Sequence, residues 1–287
     1  MALDQKILHL SCELYKRGFF KNIKSVIDMG DQDLNINFEQ LKKKLEFLNI
    51  KDLDGILNQA KKYPERPRLS SSFLWKILGI ENTDRLDLIK LERVKEDSLN
   101  NFFKVDLNYP LEDQIKFTPY DFVTDFGNNE HPFNVVESYK SMHKLCKENG
   151  FMLIHQGIFG GNGFYNFDIS FFENLAAVND YSCLYSSLAF AKKDHFFSTP
   201  VDRSYFKMVD IKNIDVIEII YIFQKKSNKD FVYPYQGSGK SIENSEYYTN
   251  KLNTVNSFPS RMYIPNSYND LSLTTFIKYL KNKLLKR

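Results

Sequence analysis

Apolar and polar positions along the chain fall into alternating helical and strand-like patterns. Between Asp4 and Phe20, Ile7, Leu10, Leu14 and Tyr15 recur at helical spacing and Gly18 stands near the end, which predicts an amphipathic first helix. SVIDMG, residues 25–30, is a short apolar run that stops at Asp28 and Gly30, the pattern of a buried parallel strand delivering a turn at its carboxyl end. Helical periodicity returns in FEQLKKKLEFL and DLDGILNQAKKY, the proline-bearing YPERPRLSS closes that stretch, and SSFLWKILG predicts one more helix capped within Ser70 to Ser72. A second strand is expected in TDRLDLIKLE, around Leu86 to Leu91, a third in NNFFKVDLNYP ending at Asp106, and a fourth in FTPYDFVTDFG ending at Asp125.

VVESYKSMHKLCKENG then reads as a helix stopped by Gly150, FMLIHQG as a fifth strand, and DISFFENLAAVNDY as another helix. CLYSSLAFA, VIEIIYIFQKK and FVYPYQG supply later strand-like runs. This alternation predicts an α/β fold, a mainly parallel sheet flanked by helices, with antiparallel pieces near the end. One domain is expected over residues 1–287, with a helical insertion at about 35–79 and a C-terminal elaboration at about 182–287.

Composition narrows the class. Apolar residues at 43% and charged residues at 26% argue against a disordered chain, and a net charge of +3 is too small to argue for nucleic acid. The basic end KYLKNKLLKR reads as the solvated face of a terminal helix. Cys12, Cys146 and Cys183 are few, odd in number and widely spaced, which fits reduced thiols, and about 18 consecutive apolar residues occur nowhere. The expectation is a cytoplasmic protein with no membrane or nucleic-acid partner.

In open α/β sheets ligands sit beyond the carboxyl ends of the strands, so residues at successive exits meet in space. Here the exits collect Asp28 and Gly30, then Asp87 or Glu92, Asp106, the polar stretch from Asp125 to His131, and His155. A carboxylate after the second strand can bind ribose hydroxyls and a glycine after the first permits close approach of backbone, which together point to a nucleoside cofactor. A plain strand-to-helix loop needs a turn residue and an N-cap; TDFGNNEHPFN spends two carboxylates and an imidazole there as well.

SVIDMG, DLN at residues 106–108, TDFGNNEHPFN and the later LIHQGIFGGNGFYNF, in this order, resemble the class I S-adenosylmethionine-dependent methyltransferases over roughly residues 15–181. The resemblance implies a Rossmann-like domain, S-adenosylmethionine as cofactor and a small-molecule acceptor. It implies that Asp28 and Gly30 line the methionine side, Asp87 the ribose, Asp106 and Leu107 the adenine, and Asp125 and Gly127 the approach to the sulfonium. Asp84 and Glu92 are alternatives to Asp87. The chain departs from the family where Asp31, Gln32 and Asp33 replace a further common glycine.

Methyl transfer from a sulfonium is an in-line displacement, and an alcohol acceptor needs a base. His131 and His155, expected at one mouth, can accept that proton, with Glu130 orienting an imidazole or taking the proton itself. Asn134, Gln156, Tyr165 and Asn166 can hydrogen-bond an acceptor without adding charge. The expected reaction is methylation of an oxygen on a small polar molecule such as a sugar derivative; a nitrogen acceptor and an inactive cofactor-binding scaffold are the alternatives. Asp125, Glu130, His131 and His155 are also metal-ligand types whose spacing does not require a metal, and some relatives use magnesium, so a divalent ion is left open. QGSGKS lacks the first glycine of a phosphate-binding loop, and DFG at residues 125–127 has no kinase context.

Overall fold

The computed structural model describes residues 3–35, 38–46, 70–90, 101–192, 195–201 and 214–236, with a few positions between them. The helix DLDGILNQAKKY, Glu92, most of YPERPRLSS and the basic C-terminus fall largely or wholly outside the described residues.

Helix α1, Gln5–Lys16, is capped by the Asp4 carboxylate, which accepts from the backbone of Lys6 and Ile7, and Gly18 follows with φ 76°. Strand β1, Ser25–Met29, is buried along its length. Helices α2, Phe38–Glu46, and α3, Ser71–Ile77, follow, and they are the described part of the expected insertion.

Strand β2 is Asn82–Asp87, earlier than the apolar run that suggested Leu86 to Leu91. Its inner residues are Thr83, Asp84, Arg85 and Leu86, all buried and only the last apolar, so hydropathy does not mark it. Each charge is matched across strands: Asp84 accepts from the Tyr120 hydroxyl at 2.6 Å, and Arg85 meets Asp31 at 2.6 Å. Strand β3, Phe102–Lys104, ends two residues before Asp106, and β4 runs Tyr120–Phe126, past Asp125.

Helix α4, Val135–Leu145, stops earlier than its apolar pattern predicts, because Cys146 is already extended and opens β5, Cys146–Phe159. Gly150 thus lies inside a strand, after Asn149 at φ 61°, where the register with β4 shifts. Helix α5, Ile169–Val178, leads into β6, Tyr181–Lys192, β7, His195–Pro200, and β8, Val216–Lys225. The aromatic run at 231–236 forms no strand.

All eight strands make one sheet in the order β3-β2-β1-β4-β5-β8-β6-β7. Strands β1 to β5 pair parallel, whereas β8 is antiparallel to both β5 and β6, and β7 is antiparallel to β6. The sheet is therefore mixed, and β6 to β8, from the expected C-terminal elaboration, extend the main sheet itself. One face packs on α1, α2 and α3 through residues such as Leu10, Leu41, Trp75, Phe122 and Leu153. The other packs on α4 and α5 through Val123, Tyr139, Met152, Ile154 and Phe172. Strand order reverses between β1 and β4, which opens a crevice at the carboxyl edge there.

Candidate functional site

Side-chain alternation along the strands decides which way each predicted residue faces. Asp28 pairs in register with Thr124, on the α3 side. Its fully buried carboxylate accepts from Ser71 Oγ and Thr124 Oγ1 and, at 3.0 Å, from Trp75 Nε1. Burial pushes this carboxyl up to about 6 against those donors. Asp28 thereby ties β1, β4 and α3 together, with its oxygens spent internally.

Gly30 has φ 102°, and a Cβ there would sit 2.5 Å from Gln32 Nε2 and 3.1 Å from Asn128 Oδ1, so the loops after β1 and β4 touch at the crevice. The residues that replace the common glycine are pinned. Asp31 pairs with Arg85, its N–H donates to Asp87 Oδ2 at 2.7 Å, and the Gln32 carbonyl accepts from Ser71 N. Asp87 is the last residue of β2, whereas Asp84 lies inside that strand and is bonded to Tyr120. Asp106 closes its own turn by accepting from Asn108 N and Nδ2 at 2.9 and 2.8 Å, and Leu107 is buried.

Asp125 faces the α4 side. Its Oδ1 accepts from Asn128 N at 2.8 Å and Asn129 N at 3.2 Å, its Oδ2 from Gln156 Nε2, and Gly127 turns the chain with φ 74°. Burial raises this carboxyl to about 7, and the charge of Glu130 adds to the rise.

Glu130 has no solvent exposure, and its carboxylate meets no side-chain donor; the Gly157 N–H is the backbone group that favours its charged form. Among the described residues its carboxylate approaches His131 Nε2, 3.8 Å away. The carboxylate lies against glycines: a Cβ at Gly157 would sit 3.2 Å from Oε2 and one at Gly161 3.4 Å from it. Gly163 is tighter still, its Cβ position lying 2.5 Å from Glu130 Cγ and 2.6 Å from its carbonyl oxygen. Burial raises the Glu130 pKa. Asn129 Nδ2 and Gln156 Oε1 are buried without partners, so orphaned polar atoms gather where β4 and β5 end.

The two histidines have different surroundings. His131 is on the loop after β4 with 44% of its side chain exposed, and partial burial lowers its pKa. His155 pairs in register with Phe126 and Ile220, on the α1 side, and is buried. Its Nε2 is 3.4 Å from Glu218 Oε2 on β8, and Lys6 Nζ of α1 is 2.8 Å from the same oxygen. Burial opposes ionisation of Glu218, but His155 and Lys6 outweigh it and hold the carboxyl below its ordinary value. Lys6 and Glu218 escape sequence reading because 212 positions separate them.

The polar residues expected to bind an acceptor are mostly engaged. Asn134 caps α4 through Glu137 N and donates to the Asn108 carbonyl at 3.1 Å; Tyr165 Oη donates to the Phe133 carbonyl at 2.5 Å; Gln156 holds Asp125. Asn166 is exposed, its Oδ1 3.3 Å from a Cβ position at Gly161. Among the described residues no group of three or more His, Cys, Asp or Glu could hold a metal ion, and no helix is long and apolar enough to cross a membrane.

No family model matches the chain, and no curated protein matches it in sequence. Among solved structures it is similar to the Burkholderia thailandensis 1,6-didemethyltoxoflavin-N1-methyltransferase with bound 1,6-didemethyltoxoflavin and S-adenosylhomocysteine, at 9% identity over 77% of this chain and 79% of that one, TM-score 0.42. It is also similar to the N-methyltransferase NodS from Bradyrhizobium japonicum in complex with S-adenosylhomocysteine, at 9% identity over 78% and 86%, TM-score 0.40. A StiE O-MT fragment shares 11% identity over 90% and 82%, TM-score 0.42. Likenesses this remote carry no weight on function, which must be read from the site.

Proposed function

We propose that this chain is an S-adenosylmethionine-dependent methyltransferase acting on an oxygen of a small acceptor. The observation that carries the reading is the carboxyl edge of the sheet, where the loop after Gly30 is bound to Asp87 through Asp31 N and the loop after β4 holds a buried Glu130 carboxylate with no side-chain donor. The ordered motif resemblance supports it.

The residues present fit the cofactor. Gly30, at φ 102°, makes a turn at the exit of β1 that only a residue without a side chain takes readily, and Asp87 keeps Oδ1 in only a 3.4 Å contact with Ile89 N. In this reading Gly30 borders the methionine side, Asp87 holds the ribose, Asp106 and Leu107 border the adenine, and Asp125 with Gly127 shapes the loop toward the reacting centre. When bound, the cofactor supplies an electrophilic methyl carbon.

The chain's own groups align the acceptor and take its proton. Glu130 accepts the hydroxyl proton, since its pKa is raised and no side-chain donor engages its carboxylate. His131, 3.8 Å away and open to solvent, relays that proton outward. Asp28 and Asp125 hold the exits of β1 and β4 in place, and the Lys6, Glu218 and His155 chain fastens α1 beside the edge. Isothermal calorimetry with S-adenosylmethionine and S-adenosylhomocysteine tests the reading; binding of neither would sink it. Glu130→Gln is expected to keep cofactor affinity and lower turnover by about a hundredfold or more.

A further inference from the structure

Glu130 stands in an unusual setting for a residue that would greet a polar acceptor. The large apolar side chains left exposed include Leu88, Ile89, Tyr109, Phe133 and Phe164, which follow β2, β3, β4 and β5 in turn, and Phe159, which ends β5. Phe133 and Phe164 are 78% and 74% exposed, yet they are not loose: their rings meet edge to face with centroids 6.5 Å apart. Tyr165 Oη fixes the Phe133 carbonyl, and Phe164 N donates to the Glu130 carbonyl at 2.8 Å. The aromatic pair and the carboxylate are thus parts of one hydrogen-bonded loop assembly.

A polyhydroxylated acceptor would need several free hydrogen-bonding side chains. Asn134 and Tyr165 are committed to backbone carbonyls and the Gln156 amide nitrogen to Asp125, so of the four residues expected to bind an acceptor only the exposed Asn166 keeps its amide uncommitted, alongside the buried Glu130 carboxylate. We propose that the acceptor is a phenol: a flat apolar body that rests on Phe133 and Phe164 and carries one hydroxyl that donates to Glu130. The chemistry agrees, because a phenolic hydroxyl, with a pKa of about 10, yields its proton to a carboxylate far more readily than a sugar hydroxyl does. The exposed Phe133 and Phe164 rings, on the loops that carry and close over Glu130, also match the usual make-up of small-molecule sites, apolar walls with few convergent polar groups.

This inference rests on the methyltransferase reading and is tested by binding, with 2-naphthol, naphthalene and methyl glucoside titrated by ligand-observed NMR with and without S-adenosylhomocysteine. We expect 2-naphthol to bind and methyl glucoside not to. The double variant Phe133→Ser with Phe164→Ser, on exposed side chains that the core does not need, should weaken 2-naphthol by about tenfold and leave S-adenosylhomocysteine binding unchanged. Glu130→Gln should weaken 2-naphthol but not naphthalene. Absence of 2-naphthol binding, binding unaffected by the double variant, or preferential binding of methyl glucoside would overturn the proposal. If S-adenosylhomocysteine fails to bind while 2-naphthol behaves as expected, the cofactor assignment fails and the site's preference stands.

Discussion

Replacing Asp125 with asparagine should make the protein more stable above neutral pH and flatten its pH dependence. The parent carboxyl is fully buried and titrates near about 7 instead of 3.8, with burial as the main cause. A folded-state pKa above the unfolded one means that the folded chain holds the proton more tightly. The associated stability is present at low pH and is lost as pH rises through 7. Between pH 5 and 8 that loss is about 3 kcal/mol, at ~1.4 kcal/mol for each pH unit over which only the unfolded carboxyl is ionised.

Asparagine is nearly isosteric and keeps one oxygen for Asn128 N and Asn129 N. Its amide can donate to Gln156 Oε1, which has no partner in the parent, once the Gln156 amide turns over. Urea unfolding read from Trp75, the one tryptophan of the chain, gives the stability of parent and Asp125→Asn at pH 5, 6.5 and 8. The difference between the two curves isolates Asp125, because Asp28, at about 6, and His143, lowered to about 4 by burial, titrate in both. Parallel curves from pH 5 to 8 would refute the reasoning, since they would show that Asp125 is ionised to the same extent in the folded and unfolded chain.

Gly163→Ala places a Cβ 2.5 Å from Glu130 Cγ and should displace the carboxylate, lowering turnover by about a hundredfold while S-adenosylhomocysteine still binds by calorimetry. Gly30→Ala combines a φ of 102° with contacts to Gln32 and Asn128; a cost of ~1–3 kcal/mol and a cofactor affinity weakened about tenfold are expected in denaturation and titration. Glu218→Gln takes away one of the two carboxylates that pair with buried Lys6, leaving Asp4, and should destabilise the fold by ~1–3 kcal/mol at pH 7, read from urea unfolding.

Much of this architecture is legible along the chain because local pattern and local structure agree. The apolar run of β1 ends at Asp28 and Gly30, α1 begins at its Asp4 cap, and the crowded polar stretch after β4 is indeed where buried polar atoms gather. β2 is hidden, since its buried Arg85 and Asp84 are made tolerable only by Asp31 and Tyr120 from other segments. The end of α4 is misread for a related reason: the pairing of Cys146 with Tyr120 recruits into β5 residues that a helical pattern also suits.

By itself, then, the order of residues determined the α/β alternation and which acids and histidines stand near strand exits, because both are properties of short segments. Only the tertiary structure decided what each side chain can do. Pleating turns Asp28 and His155 toward the α1–α3 face and Asp125 and Gln156 toward the other, and partners more than 40 residues away occupy Asp28 and His155. Glu130 alone among the predicted site carboxylates is left fully buried without a side-chain donor, because the segments folding around it bring the glycines at 157, 161 and 163 against it.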